Sequence, residues 1–434
     1  MERLALRTLG ALAGLYLIAC FSVALARITY PFALEFLEGT SLTLMARLAA
    51  GEPFYVKPSL EFIPSNYTPV YYYLAALLAT VTGTSFLPLR LISFLSSLGS
   101  LAIIGLTVRR ETGSWIFGLL SAGLFAASYH FVGAWFDLGR NDSLFLFLLL
   151  AGAWAIRFHP ASPGSAAGAG VLVALSFFTK QTTAMIAPAL VLYTLLTNRR
   201  QFVLFTGSLA LIVGAGILIL NWISDGWFYY YVFKIAGLHQ FTWDGFHRFW
   251  RREMLPFFGI ALGFSVLLFW TDFREKRHER FLFHLLFVAA TFGSSWMIRS
   301  HEGAYVNVLM PACAALSISF GIALCEALQM AHRASARQQA ATSLVILLAA
   351  IQFLVLGYNP IRLVPSKEDR RAGENLVRQI ASLPGEVWLT QQGYLAPLAG
   401  KKTYANAITI WDVVTDEDQR RPGGLQEEIL CALT

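Results

Sequence analysis

Charge is scarce in this chain: Asp, Glu, Lys and Arg make up 14% of 434 residues, against 56% hydrophobic ones, and the mean hydropathy is +0.57. That balance excludes an ordinary soluble enzyme. Cysteine is scarce too. The 4 present, Cys20, Cys313, Cys325 and Cys431, show no CxxC spacing and no neighbouring histidine cluster, so neither a disulfide framework nor a zinc site is indicated. No P-loop, dinucleotide fingerprint or catalytic-triad spacing occurs. The formal net charge of +7 fits contact with anionic lipid without selecting a lipid.

What the chain does have is a succession of uncharged runs of about 18 to 24 residues, each long enough to cross a hydrocarbon core of roughly 30 Å as a helix. The first, 8–26, follows Arg3 and Arg7 and is longer than a usual signal core; with no small-x-small cleavage site after it, it reads as a retained span with its N-terminus in the cytoplasm. Further spans are expected near 91–108, 114–134, 143–157, 165–179, 181–197, 202–223, 254–271, 281–298, 304–326 and 340–358, about eleven crossings in all.

The segment 67–89 is apolar enough to cross but opens with Asn-Tyr-Thr-Pro and contains Gly83 and Pro88. Placed in the outer interface, where Tyr71, Tyr72 and Tyr73 fit, it leaves Arg109, Arg110, Arg157, Arg199, Arg200, the 274–280 connector, Arg333 and Arg337 on the cytoplasmic side. Were it to cross, that basic connector would move outside, which the positive-inside rule disfavours. In 39–50, Leu42, Met45, Ala46 and Ala49 share one helical face with Arg47 opposite, an amphipathic helix lying on the membrane.

The chain therefore divides into a membrane domain, 1–358, and a small extracytoplasmic tail, 359–434. In the tail, a helix over 367–383 enters through Ser366 with Glu368 and Asp369 in its first turn, and a strand is expected at 387–390, making an α/β appendage.

With this topology Glu35, Glu38, Asp137, Arg140, Asp142 and Lys180 gather on one side, and carboxylates and cations held together at a bilayer surface suggest chemistry on a charged lipid headgroup. Blander readings stand beside this one. Asp142 also suits the first turn of the span at Ser143, and Lys180 also suits a snorkelling position. His239, Trp243, His247, Arg248, Arg251 and Arg252 describe a loop that covers a headgroup or sugar equally as well as an interfacial aromatic belt, whereas His130 and His284 read as satisfied core residues.

Several motifs carry a resemblance: Leu37-Glu38-Gly39 after the first span, Tyr67-Thr-Pro-Val-Tyr-Tyr72, Arg90-Leu-Ile-Ser, Asp137-Leu-Gly-Arg-Asn-Asp-Ser143, Phe178-Thr-Lys-Gln181 and His301-Glu-Gly-Ala-Tyr-Val-Asn307. In this order and spacing, over roughly 1–330, the chain resembles the GT-C class of integral-membrane glycosyltransferases, which includes aminoarabinose transferase and the protein O-mannosyltransferases. The resemblance implies an all-α polytopic membrane fold and a bacterial inner-membrane enzyme working at the outer face. It also implies inverting transfer of a sugar from a polyprenyl-phosphate carrier to a lipid, glycan or protein acceptor, without nucleic acid.

One departure is visible. Members commonly carry an acidic pair in the first loop, whereas Leu37 precedes Glu38 here, so the base role is placed on Glu38 with Glu35 in reserve. A polyprenyl phosphate departs without a general acid, leaving the enzyme to supply a base and fixed positive charge. By the same resemblance Lys180, Arg140 and Arg299 would hold the donor phosphate. Asp137, Asp142, Tyr67, Tyr71, His239, His301, Glu302 and Asn307 would line the cleft. A divalent cation stays open, as do two other readings, a transporter or flippase of lipid-linked glycans and a glycan polymerase or ligase.

Overall fold

In hydrocarbon a backbone amide finds no water, so each apolar run coils on itself. The computed structural model describes residues 2–333, 338–420 and 424–433. Helix α1 (Glu2–Arg27) leads to α2 (Glu38–Ala49) and α3 (Val70–Thr82), then to α4 (Phe86–Thr112), α5 (Trp115–Ala127), α6 (Asp142–Phe158), α7 (Pro163–Thr179), α8 (Thr183–Thr197) and α9 (Arg199–Ile223). The short α10 (Trp227–Tyr229) and α11 (Trp243–Arg248) precede α12 (Leu255–Arg274), α13 (His278–Arg299), α14 (Met310–Arg333) and α15 (Gln338–Val355). The tail carries α16 (Lys367–Ser382), α17 (Leu395–Leu398), α18 (Ala407–Val414) and α19 (Leu425–Leu433).

Among the described residues 7 helical runs are long and apolar enough to cross a membrane, and shorter apolar helices stand at α3, α5, α7 and α8. Every expected span overlaps a helix. At 13 residues α3 extends only about 20 Å, short of a hydrocarbon core of about 30 Å. The span expected over 114–134 is cut short, because α5 stops at Ala127 and the backbone turns left-handed at Gly133 (φ 73°) and Ala134 (φ 56°). His130 is therefore exposed on a turn rather than satisfied inside a span, a correction to the sequence reading. His284 is buried as expected, 3.4 Å from Glu111. Arg337 lies outside the described residues.

Helix α14 runs through the middle of the bundle, buried from Met310 to Leu328. Its Ala, Ser, Cys and Gly side chains let neighbours approach closely, as they do where α4 meets α5: a Cβ on Gly118 would lie 2.6 Å from the Gly105 carbonyl. At the end of the bundle away from the first loop, Arg157 pairs with Glu111 (2.8 Å) and Arg280 joins Glu326 (2.8 Å) to Asp272. At the other end α1, α5, α7 and α13 finish while α4, α6, α8 and α14 begin, and there Glu35, Glu38, Asp137, Arg140, Asp142 and Lys180 collect.

In the tail, α16 forms with the expected start, a reciprocal capping box between Ser366 and Asp369. The strand expected at 387–390 does not. That stretch runs beside 404–407, but what ties the two is Trp388 Nε1 donating to the Ala405 carbonyl (3.1 Å), Asn406 Nδ2 to the Gln391 carbonyl (2.8 Å) and one backbone bond, Ala407 to Thr390 (2.6 Å). A run of four residues without a repeating ladder is no strand. Among the described residues the β pairing is a single bridge between Phe241 and His301, so the appendage is helical rather than α/β. It packs on the charged end of the bundle, with Ala405 N–H bonded to the Leu60 carbonyl (2.8 Å), Lys234 paired with Asp416 (2.7 Å), and the Tyr394 hydroxyl accepting from Ala33 N–H (2.9 Å).

Candidate functional site

The first loop is fastened from below by one arginine. Arg90, in the opening turn of α4, is completely buried and places all five guanidinium donors. Nε and Nη2 each meet a Glu38 carboxylate oxygen at 2.8 Å; Nη1 reaches the Arg27 and Tyr30 carbonyls at 2.9 and 2.6 Å; Nη2 also reaches the Phe32 carbonyl at 2.7 Å. Glu38, first residue of α2 and equally buried, accepts in addition from the backbone N–H of Leu34 (2.7 Å) and Gly139 (2.6 Å). Burial alone would raise the Glu38 pKa, but the hydrogen bonds and charge of Arg90, with the two backbone donors, hold it below the usual carboxylate value. Such a carboxylate is a weak base, and it does not reach the cavity described next.

A second clamp fixes the turn after α5. Arg27 pairs with Asp137 through two 2.6 Å bonds and also holds the Ala134 carbonyl, while the Tyr129 hydroxyl donates to the same carboxylate at 2.6 Å. Asp142, opening α6, receives Lys180 Nζ at 2.5 Å, Asn307 Nδ2 at 2.8 Å and Trp135 Nε1 at 3.0 Å. Lys180 ends α7, so three helix ends and a loop converge on one carboxylate.

Above these clamps lies a cavity of about 460 Å³. Of the residues expected from sequence, Glu35, Tyr67, Arg140 and Lys180 line one side of it, and His239, His301, Glu302 and Asn307 complete the lining. Glu35 Oε2 accepts from Arg140 Nη1 (3.1 Å) and from Leu37 N–H (3.0 Å), whereas among the described residues its buried Oε1 has no partner, nor has Arg140 Nε. Burial raises the Glu35 pKa, against the pull of Arg140. The two acids of the first loop thus divide: Glu35 is the one in the cavity, Glu38 the one beneath it.

Four other expected site residues lie away from the lining. Asp137 is held by Arg27 and Tyr129. The Tyr71 hydroxyl donates to the Leu89 carbonyl at 2.8 Å. Arg299 lies against Glu253 (2.7 Å) and the Ala304 carbonyl (2.7 Å), which shapes the turn before His301 and leaves its guanidinium engaged. Asp142 acts through Lys180 and Asn307. Unforeseen members of the lining are Trp135 and Asn66; Gln181, Tyr305 and, beneath the cavity, Arg90 enter the sequence reading only as parts of motifs. An arginine inside an apolar stretch was the available signal for the last, since such a charge persists only when paired.

From the Phe177 and Ala184 edge a second, apolar cavity of about 470 Å³ runs between α8 and α9, lined by Pro188, Val191, Leu192, Leu195, Leu209 and Val213. Among the described residues no group of three or more His, Cys, Asp and Glu side chains could hold a metal ion.

Residues 66–224 match the family described as dolichyl-phosphate-mannose-protein mannosyltransferase. No curated protein sequence matches the chain. Among solved structures the chain is similar to ArnT from Cupriavidus metallidurans bound to undecaprenyl phosphate, with a TM-score of 0.62 at 14% identity over 93% of this chain and 88% of that one. It is also similar to the archaeal oligosaccharyltransferase AglB from Archaeoglobus fulgidus in complex with an inhibitory peptide and a dolichol-phosphate, with a TM-score of 0.56 at 11% identity over 91% of this chain and 64% of that one. At such identities the likeness is one of fold.

Proposed function

We infer that this chain, which has the fold of the GT-C class of membrane glycosyltransferases, is an inverting glycosyltransferase that uses a polyprenyl-phosphate sugar as donor. The observation that carries the reading is one cavity holding a carboxylate of raised pKa, Glu35, beside two cations, Arg140 and Lys180, and opening on an apolar groove. A phosphate on the cations would leave its isoprenoid chain to lie between α8 and α9. The family match over 66–224 supports a lipid-phosphate sugar as donor.

In the proposed step an acceptor hydroxyl attacks the anomeric carbon from the face opposite the phosphate. Its proton passes to Glu35 Oε1 and the bond from the anomeric carbon to the phosphate oxygen breaks, releasing polyprenyl phosphate onto Lys180 and Arg140. A positioned base contributes about 10²- to 10⁴-fold; fixed charge in a partly dehydrated site stabilises the departing phosphate. Asp142 and Asn307 position Lys180, and the Arg90–Glu38 clamp positions the loop that carries Glu35. The basic residues at the opposite end of the bundle support an orientation with this site on the outer face of the membrane. Charge collected at the ends of the bundle, rather than at the midplane, favours transfer chemistry over transport.

The test is release of polyprenyl phosphate from a panel of polyprenyl-phosphate sugars by the protein in liposomes, wild type beside Glu35→Gln. Release that depends on Glu35 supports both donor and base; undiminished release by Glu35→Gln removes the base assignment.

A further inference from the structure

Beside the main cavity, sharing His239 and Glu302 with it, lies a cleft of about 50 Å³. Its other walls come from the turn at Leu238 and Gln240, from Trp411 and Asp412 of tail helix α18, and from Thr415 just past its end. At about 10–15 Å³ per water it has room for roughly four waters, or the hydroxyl edge of one sugar ring. Tail and loop meet there: Asp412 lies 3.7 Å from His239 Nε2, and Lys234 binds Asp416 at 2.7 Å and Asp418 at 3.1 Å. Opposite, Glu302 N–H is bonded to the Gln240 carbonyl (3.0 Å), so both rims are fixed by backbone and ion pairs.

We propose that this cleft is the acceptor subsite and that it takes a neutral or amine-bearing carbohydrate rather than a phosphorylated one. The proposal rests on the glycosyltransferase reading and extends it to the acceptor. Trp411 is 56% exposed although Val413 on the same helix is buried, and an exposed indole at a polar cleft offers the flat apolar face on which the C–H side of a sugar ring stacks. Glu302, Asp412, Gln240 and Thr415 supply the acceptors and donors that sugar hydroxyls require.

The joined space is also sorted by sign. Arg140 and Lys180 stand at the donor end, while at the cleft the carboxylates of Glu302 and Asp412 face one histidine, and Lys234 is already engaged by Asp416 and Asp418. A donor phosphate is drawn to the first end, and an anionic acceptor is repelled from the second. Burial raises the Asp412 pKa to about 6, so near neutral pH this repulsion is in force.

The experiment is titration of the full-length protein in nanodiscs with N,N′-diacetylchitobiose, glucosamine and glucose 6-phosphate, with polyprenyl phosphate titrated separately. The expected result is binding of chitobiose or glucosamine, exclusion of glucose 6-phosphate, about tenfold weaker saccharide binding by Trp411→Ala, partial recovery with Trp411→Phe, and unchanged polyprenyl phosphate binding in both variants. Absence of saccharide binding by the wild type, equal binding of glucose 6-phosphate, or indifference to Trp411→Ala overturns the proposal. Loss of the donor reading shows separately, as failure of the wild type to bind polyprenyl phosphate while saccharide binding stands.

Discussion

Glu35 and Glu38 stand on one turn of chain in opposite electrical circumstances. The Arg90 guanidinium grips Glu38 through both oxygens and holds its pKa down, while burial raises that of Glu35, whose Oε1 has no partner among the described residues. Their conservative variants should therefore fail in different ways. Glu35→Gln is expected to lower transfer by about 10²- to 10⁴-fold, with a smaller melting loss because burial already works against the Glu35 charge that faces Arg140. Glu38→Gln leaves a buried guanidinium without its counter-charge and is expected to cost about 3–5 kcal/mol of stability. Thermal unfolding in detergent beside a transfer assay separates the two; equal melting losses would sink the distinction.

Arg90→Lys tests the clamp itself. Lysine keeps the charge but exchanges a planar fork of five donors for three on a point charge, so several of the carbonyls at Arg27, Tyr30 and Phe32 lose their partner. Each buried acceptor left bare costs about 1–3 kcal/mol. Normal stability and transfer in this variant would mean that the first loop is held some other way.

Lys180→Ala and Arg140→Ala should each weaken polyprenyl phosphate binding by about 10- to 100-fold, the range expected for a hydrogen bond between charged groups. Asn307→Ala, which removes one of the contacts that orient the Lys180 partner Asp142, should weaken it less. Isothermal titration in nanodiscs gives the order; Asn307→Ala as the most damaging of the three would contradict the assignment.

Transfer should rise with pH through the ionisation of Glu35, with its acid limb above the ordinary glutamate value of 4.5 because burial raises the group. Arg140 pulls the other way, so Arg140→Gln should move the limb to higher pH. Stability carries opposite contributions from the two acids. Glu38, depressed when folded, stabilises above 4.5, and that part is lost as pH falls through its folded value. Glu35, raised when folded, makes its unfavourable contribution above its folded value and sheds it as pH falls toward 4.5. A pH series on the wild type and Arg140→Gln reads the limb directly; a limb that stays put would detach Glu35 from the rate.

A Cβ on Gly39 would run into the Tyr394 ring. Gly39→Ala should destabilise by about 1–3 kcal/mol through overpacking, and Tyr394→Ala in the same chain should recover part of that loss. Additive losses in a double-mutant cycle would deny the contact.

Much of this was legible in the chain. The helix over 39–50 appears as Glu38–Ala49, and the tail helix starts at its capping box, because both signals are local. Convergence of Arg140, Lys180 and Asn307 was readable as charge and polarity at span edges. Which acid meets the cavity was not, since that choice is made by an arginine 52 positions from Glu38 and by the backbone N–H of Gly139. Nor was Trp135, whose bond to Asp142 exists only once the turn after α5 has folded back. The strand expected at 387–390 rested on composition alone and found no ladder.

The Tyr394 hydroxyl that caps Ala33, and the ring that covers Gly39, impose an order of events on biosynthesis. The loop bearing Glu35 and Glu38 is among the first segments to be translated, yet its lid is among the last. Through most of elongation the two carboxylates must wait in a half-built pocket, and a ribosome that stalls before residue 394 leaves a membrane domain whose first loop was never shut.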